Sequence, residues 1–313
     1  MENNETIRIV LAADDNYAQH LGVAITSILE NHKNNQKIEF FILDNNIGST
    51  NLEKIKQIGA TYKVVLFFYK ISESSFGSYP EANHLSKVTY SRMFIPELLP
   101  PDIKKVLYLD VDLVALEDIS VLYNTDLKNF SVGAVRDVMS KEILRIYFDK
   151  EVLDYFNAGV LLINLEKWRQ KKITEKSLEF AQLNRRKIVR ADQDILNCLF
   201  KNDWLPLDKK FNIDLKRGKL NLEPEKNTVI LHYSDKVKPW QYIFYGPSQK
   251  YYWQYLKKTP WANFKFSDKN FTNFIIKYAR VFTVSMKRNL LPFFPSKIID
   301  FYRKILWSTY EIK

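Results

Sequence analysis

The chain has 313 residues, 46% of them hydrophobic and 27% charged, enough for a large buried core and unlike a disordered or fibrous composition. Its one cysteine, Cys198, excludes an intramolecular disulfide framework and suits a reducing compartment. The net charge of +11 calls for an anionic partner: nucleic acid, a phosphorylated substrate or a membrane surface.

Met1 to Thr6 is polar and acidic, so no secretory signal is expected there, and no apolar run approaches the ~20 residues of a membrane span. Ile7 to Ala12 reads as a buried strand, followed by a loop at Asp14-Asp15-Asn16. Tyr17 to Asn31 has helical spacing, with Leu21, Ala24, Ile25, Ile28 and Leu29 on one face. Ile38 to Leu43 is a second strand, Thr50 to Ile58 a helix capped by Gly59, and Val64 to Tyr69 a third strand. This β-α-β-α-β alternation predicts parallel strands with helices on both faces. Tyr90 to Leu98 reads as a helix ending before Pro100-Pro101. Val106 to Leu109, Val132 to Val135, Val160 to Asn164 and Thr228 to Leu231 read as further strands. Ile173 to Asn184 and Gln193 to Phe200 read as helices.

Asp110-Val111-Asp112 follows the strand Val106 to Leu109. Side chains at i and i+2 of a strand point the same way, so two carboxylates would share one side. Their repulsion and desolvation are relieved by a hard divalent cation such as Mn²⁺ or Mg²⁺. A solvated acidic turn is the plain alternative. Other segments add residues of fitting type. His232 follows a strand and precedes Lys236, Lys238, Pro239 and Trp240, where lysines can meet phosphate oxygens. Asp192-Gln193-Asp194 stands at a helix start, where one Asp is expected to be a cap. Asn157-Ala158-Gly159 opens the strand Val160 to Ile163 with an amide and a small residue.

From about Phe264 the composition changes. Residues 262–313 hold ten Lys and Arg against three Asp and Glu, so +7 of the +11 lies here. One apolar stripe runs through Phe271, Phe274, Ile275, Tyr278, Val281 and Phe282. A second runs through Ile298, Phe301, Tyr302, Ile305 and Leu306, after Ser296 as a possible N-cap. Basic, aromatic amphipathic helices suit an anionic membrane interface; packing onto the rest of the chain is the other reading. The division expected is a catalytic domain at 1–263 and a helical tail at 264–313.

Leu11 to Tyr17, Thr89-Tyr-Ser-Arg92, Val106 to Asp112, Phe156 to Asn164, Asp192 to Asn197 and His232 to Trp240 form an ordered series. That series resembles glycosyltransferase family 8, retaining hexosyltransferases of GT-A fold, and most of all the bacterial lipooligosaccharide α-galactosyltransferases. The resemblance implies a Rossmann-like mixed α/β sheet flanked by helices over residues 7–247. It implies that Asp110, Asp112 and His232 bind Mn²⁺, with Mg²⁺ possible, at the diphosphate of a UDP-sugar. Val111 falls between the two aspartates. Ala12, Asp14, Asn16 and Tyr17 match the loop that holds uracil and ribose, Arg92 the arginine that reaches the donor, and Lys238 the diphosphate lysine. Asp137, Asn157, Ala158, Asp192 and Gln193 match the group around the transferred sugar. Where the family has Gly in its His-X-X-Gly-X-X-Lys-Pro-Trp pattern, this chain has Asp235, which puts a backbone–phosphate contact there in question.

The implied partners are a UDP-hexose, a glycan or glycolipid acceptor, and an anionic membrane surface through the tail, which places the enzyme in the cytoplasm on the inner face of a bacterial membrane. Gln193 is a poor nucleophile, so same-face attack is favoured over double displacement, with Asp192 the carboxylate available to a covalent route. A glucosyltransferase of the same family, acting on lipopolysaccharide core or a glycoprotein, is the alternative enzyme. A basic membrane- or nucleic-acid-binding module is the non-enzymatic one. Nucleic acid is disfavoured, because the positive charge sits in the tail and a carboxylate-rich cleft repels phosphodiesters.

Overall fold

The computed structural model describes residues 5–76, 79, 87–137, 154–185, 188–215 and 223–278. β1 (Ile7–Ala13), α1 (Ala18–Glu30), β2 (Ile38–Asp44), α2 (Ser49–Tyr62) and β3 (Val65–Lys70) form the expected alternation, and the three strands pair in parallel. Then come β4 (Lys105–Leu109), β5 (Leu113–Ala115), β6 (Val132–Arg136), β7 (Phe156–Asn164), β8 (Trp204–Leu207), β9 (Ile213–Asp214) and β10 (Ile230–His232). Seven strands form one sheet in the order β3-β2-β1-β4-β7-β6-β8. It is mixed, because β7 runs antiparallel to both β4 and β6. A second sheet, β5-β10-β9, stands beside it.

The period-two alternation of strands sorts the core onto two faces. Ile9, Leu11, Leu107, Leu109, Val160 and Leu162 pack with Leu21 and Ile25 of α1 and Ile55 and Ile58 of α2. Val10, Val106, Tyr108, Leu161 and Ile163 pack on the other face with Trp168, Ile195 and Leu196. Cover on both faces is why these strands read as unbroken apolar runs. The small sheet has its own cluster, in which Val114, Leu231 and Tyr233 meet Tyr252, Tyr255 and Leu256 of the helix Gln249–Leu256.

Several elements differ from expectation. α2 runs past Gly59 and ends at Lys63, which takes the left-handed conformation with φ 55°. Gly59 lies inside the helix, where a Cβ would come 2.8 Å from Leu66 Cδ1, so it serves close helix–strand packing rather than capping. The segment expected as one helix to Leu98 is a 3₁₀ stretch, Lys87–Phe94, followed by one α-helical turn, Ile95–Leu98, with Pro96 in its first turn. β7 begins at Phe156, so Asn157, Ala158 and Gly159 lie within the strand. His232 is the last residue of β10 rather than a residue after it.

The carboxyl ends of β1 and β4 and the amino end of β7 open at one edge of the sheet, as the pairing of Leu109 with Val160 requires. The winding changes direction between β1 and β4, and such switch points are where open α/β sheets hold ligands. Phe264 and Phe266 pack against Trp253, and the Asp268 carboxylate accepts the Tyr242 N–H at 2.8 Å, so the chain stays attached to the body past residue 263. The second apolar stripe and Ser296 lie outside the described residues, as do Val281 and Phe282 of the first.

Candidate active site

β4 stops at Leu109, and the chain bends through Asp110, Val111 and Asp112 before β5 begins. The two aspartates therefore converge through this bend, not through the i, i+2 geometry of a continuous strand. Two backbone bonds pin it: Asp110 N–H donates to Gly159 O at 2.8 Å and Tyr233 N–H to Asp112 O at 2.9 Å. Val111 turns into the apolar core. β10 delivers His232, whose Nε2 lies 3.1 Å from Asp112 Oδ1 and 3.8 Å from Asp110 Oδ2. One ligand atom from each of the three lies within 4.8 Å of the others. Lys238 Nζ donates to Asp112 Oδ2 and to Tyr233 O, each at 2.7 Å.

Burial alone would raise the Asp112 carboxyl, but the charges of Lys238 and His232 outweigh it and hold the group well below the usual carboxylate range. Burial lowers His232 and Lys238, and Asp112 more than reverses both, so each cation is favoured. Two carboxylates and an imidazole form a donor set that fits Mn²⁺ and related divalent ions.

Arg92 joins this cluster to Ala158 and Asp192. It is 3% exposed, lies over the Tyr108 ring, donates to Asp110 Oδ1 at 2.8 Å and also donates to Ala158 O. Its Nε is 2.9 Å from Asp192 Oδ2. Burial pushes the Asp192 carboxyl up to about 6, with Arg92 opposing the rise. Neither Asp at this helix start is an N-cap: Asp194 Oδ2 instead reaches back to the backbone N–H groups of Val189 and Arg190, each at 2.8 Å, and fixes the turn before the helix.

The helix Ala191–Leu199 starts on a non-glycine residue of positive φ, Ala191 at 47°. L-residues adopt that conformation at a cost of roughly 1–2 kcal/mol. Gln193 follows, held at both ends. Its Oε1 accepts the Ala158 N–H at 3.0 Å and its Nε2 donates to Asp137 Oδ2 at 3.2 Å. Arg190 Nη1 reaches the same Asp137 oxygen at 3.1 Å. Asn157 Oδ1 accepts from Gly159 N–H at 2.8 Å and from Asn212 Nδ2 at 2.9 Å.

At the end of β1, Ala12 is buried against the face that also holds Tyr108 and Ala158. Asp14 caps the short 3₁₀ turn Asp15–Tyr17 by accepting the Tyr17 N–H at 3.0 Å. Asn16 is exposed. Tyr17 meets His20 and Trp240 edge-on, and His20 stacks on Trp240 with ring centroids 3.5 Å apart. Burial drives His20 down to about 3, so it is neutral. This brings the first loop against the segment that carries Lys238.

The profile of Glycosyl transferase family 8 matches residues 8–244. The chain belongs to that family. General stress protein A of Bacillus subtilis is 30% identical over 277 residues, which cover 83% of this chain and 96% of that protein. Lipopolysaccharide 1,2-glucosyltransferase of Escherichia coli K12 is 30% identical over 275 residues, covering 84% and 81%. Among solved structures, the galactosyltransferase LgtC, determined with donor and acceptor sugar analogues, superposes with a TM-score of 0.72 at 29% identity, covering 81% of this chain and 96% of that one. The GT-A architecture read from the sequence is therefore the one observed, and this family 8 protein is a glycosyltransferase.

The sequence-derived residues thus meet at one edge of the sheet in two groups, Asp110, Asp112, His232 and Lys238 beside Asp137, Asn157, Ala158, Asp192 and Gln193, with Arg92 between them. Arg190, Asn212, Tyr108 and His20 were not singled out. Asn212 and His20 are polar residues that end up nearly solvent-free, and a polar side chain flanked by core positions is the signal that could have marked them. At Asp235 the backbone is not in the left-handed region, so the family's glycine is not required there by conformation.

Proposed function

We propose that this family 8 enzyme is a retaining, Mn²⁺-dependent hexosyltransferase that moves a sugar, galactose in the first instance, from a UDP-sugar to a lipooligosaccharide, lipopolysaccharide or other surface glycan. The observation that carries the reading is the convergence of Asp110, Asp112 and His232 beside Lys238 at the sheet's switch point. These three would hold the cation, which when bound supplies Lewis acidity and counter-charge at a diphosphate. Lys238 adds positive charge where the leaving diphosphate develops its own. Ala12, Asp14, Asn16 and Tyr17 would hold uracil and ribose. Gln193 and Asp137 present fixed dipole and charge to the sugar as it gains oxocarbenium character. A neutral amide held at both ends, and an Asp192 carboxylate held against Arg92, support same-face attack, in which the acceptor hydroxyl passes its proton to the departing phosphate.

The glucosyltransferase reading is kept, because the Escherichia coli relative bears that activity in its name. The deciding experiment is UDP-sugar hydrolysis with Mn²⁺, comparing UDP-galactose, UDP-glucose and UDP-N-acetylglucosamine. UDP-galactose should turn over fastest; preference for UDP-glucose would favour the alternative. Turnover persisting in EDTA, or unchanged in Asp112→Asn, would remove the cation from the reading.

A membrane role for the tail is supported by helix 271–278, where Phe271 is 78% exposed and Phe274, Ile275 and Tyr278 are also exposed, with Lys277 nearby. No helix among the described residues is long and apolar enough to cross a membrane. A cytoplasmic enzyme resting on an anionic leaflet is the arrangement that fits this patch.

A further inference from the structure

Asn212 is 3% exposed and sits one residue before β9. Its neighbours fix which way round it stands. The Gly159 backbone N–H can only donate, and it donates to Asn157 Oδ1 at 2.8 Å, so that atom is the amide oxygen. The Asn212 atom facing the same oxygen at 2.9 Å must then be the NH₂ nitrogen. Asn212 therefore turns its own oxygen to His232 Nδ1, at 3.0 Å. An imidazole nitrogen that meets a carbonyl oxygen at that distance carries a proton. His232 Nε2, the nitrogen beside Asp110 and Asp112, donates its proton to Asp112 Oδ1 in the metal-free protein, and it is the nitrogen that would give that proton up and turn its lone pair to a cation while Asn212 keeps the other proton on Nδ1.

We propose that Asn212 is a positioning residue: it holds His232 in the tautomer that a divalent cation needs and ties that choice to Asn157 on the sugar side. This rests on the reading of Asp110, Asp112 and His232 as a cation site. Partners of this kind that orient a ligating histidine change metal affinity by roughly 10- to 100-fold when removed. The wiring starts from a backbone group of β7, so neither side-chain amide can reverse without opposing two donors or two acceptors.

The test is Mn²⁺ binding to purified full-length protein, measured by calorimetry without donor or acceptor, for wild type, His232→Ala, Asn212→Leu and Asn157→Asp. Asn212→Leu should weaken Mn²⁺ roughly 10- to 100-fold. Asn157→Asp keeps an acceptor for both Gly159 and Asn212, so it should bind Mn²⁺ at least as tightly as wild type while sugar transfer falls. A second measurement uses wild type alone: in Mg²⁺-loaded protein, ¹⁵N shifts should place the His232 proton on Nδ1, with the signal assigned by its loss in His232→Ala. A folded Asn212→Leu that binds Mn²⁺ like wild type, or a proton found on Nε2, overturns the proposal. So does an Asn157→Asp that loses the metal as Asn212→Leu does, which would mark a merely structural network. Wild type that binds no Mn²⁺ would instead defeat the cation reading itself, and this inference with it.

Discussion

Gly159 and His232 pack so closely that residue 159 has no room for a side chain. A Cβ there would lie 2.6 Å from Asp110 Oδ2 and closer still to His232 Cε1. Gly159→Ala should therefore push apart the Asp110–His232 pair. Overpacking of this kind costs about 1–3 kcal/mol, so the variant should fold with a lowered Tm. Mn²⁺ affinity and transfer should fall together by at least an order of magnitude. Calorimetry and a transfer assay check this, and wild-type Mn²⁺ binding in Gly159→Ala would contradict the packing.

Arg92 serves two carboxylates and two backbone carbonyls, those of Thr89 and Ala158, at once. Burial opposes its charge, but Asp110 and Asp192 hold the guanidinium protonated. Arg92→Met would leave the buried Asp192 charge uncompensated, at a cost of about 3–5 kcal/mol. Arg92→Lys should recover part of that stability but little transfer, since an ammonium cannot reproduce the planar fork. Urea unfolding of both variants tests the pairing; Arg92→Met as stable as wild type would refute it.

Asp192 makes a pH prediction. Its carboxyl rises from 3.8 to about 6 on folding, chiefly through burial. Between these values the unfolded chain is ionised while the folded one keeps its proton, so stability from this group falls as pH rises. The loss should reach about 3 kcal/mol by neutral pH in metal-free protein. Urea unfolding in EDTA from pH 4 to 7 should show a shallower decline, or a steeper rise, with pH for Asp192→Asn than for wild type. Parallel profiles would show that Asp192 ionises normally.

If attack is same-face, as proposed, Gln193→Ala should slow transfer without abolishing it, because Gln193 would contribute electrostatics rather than a bond. Arg190→Ala should raise the donor KM more than it lowers kcat, since Asp137 keeps Gln193 but loses the guanidinium of Arg190. A glycosyl-enzyme adduct trapped on Asp192 and seen by mass spectrometry would overturn same-face attack.

For the tail, the packing of Phe264, Phe266 and Asp268 moves the informative truncation from 263 to after residue 270. Residues 271–313 carry eight Lys and Arg against two Asp and Glu. Each basic residue near an anionic surface is worth about 1 kcal/mol. The truncated enzyme should keep activity on a soluble acceptor and lose binding to anionic vesicles, and full-length binding should weaken with salt. Unfolding on truncation, or full-length protein that ignores such vesicles at low salt, would show the stripe to be core.

The first two strands were legible because each is covered on both faces and so reads as an apolar run, and β3 because it is an unbroken run of strand-forming Val, Leu, Phe and Tyr although Val65 and Phe67 stay exposed. The aspartate pair and His232 were legible because charged and imidazole groups at strand ends carry chemical meaning. What stayed hidden depends on contacts made across the chain. Gly59 looks like a cap until Leu66 is placed beside it. Asn212 is an ordinary amide until Asn157 and His232 arrive from 55 residues before and 20 after. Arg190 has no motif, since only folding sets it on Asp137.

The placement of β10 also bears on how the protein comes into being. Asp112 and His232 are 120 residues apart in sequence, and they meet only when β10 inserts between β5 and β9. Closing so long a loop is entropically costly and slow relative to local structure. During synthesis, a chain that has emerged only through β8 can hold most of the large sheet yet lacks the third donor and Lys238. On the proposed reading, a complete cation site would then be among the last features of the fold to form, and a chain that stops short of β10 would lack it.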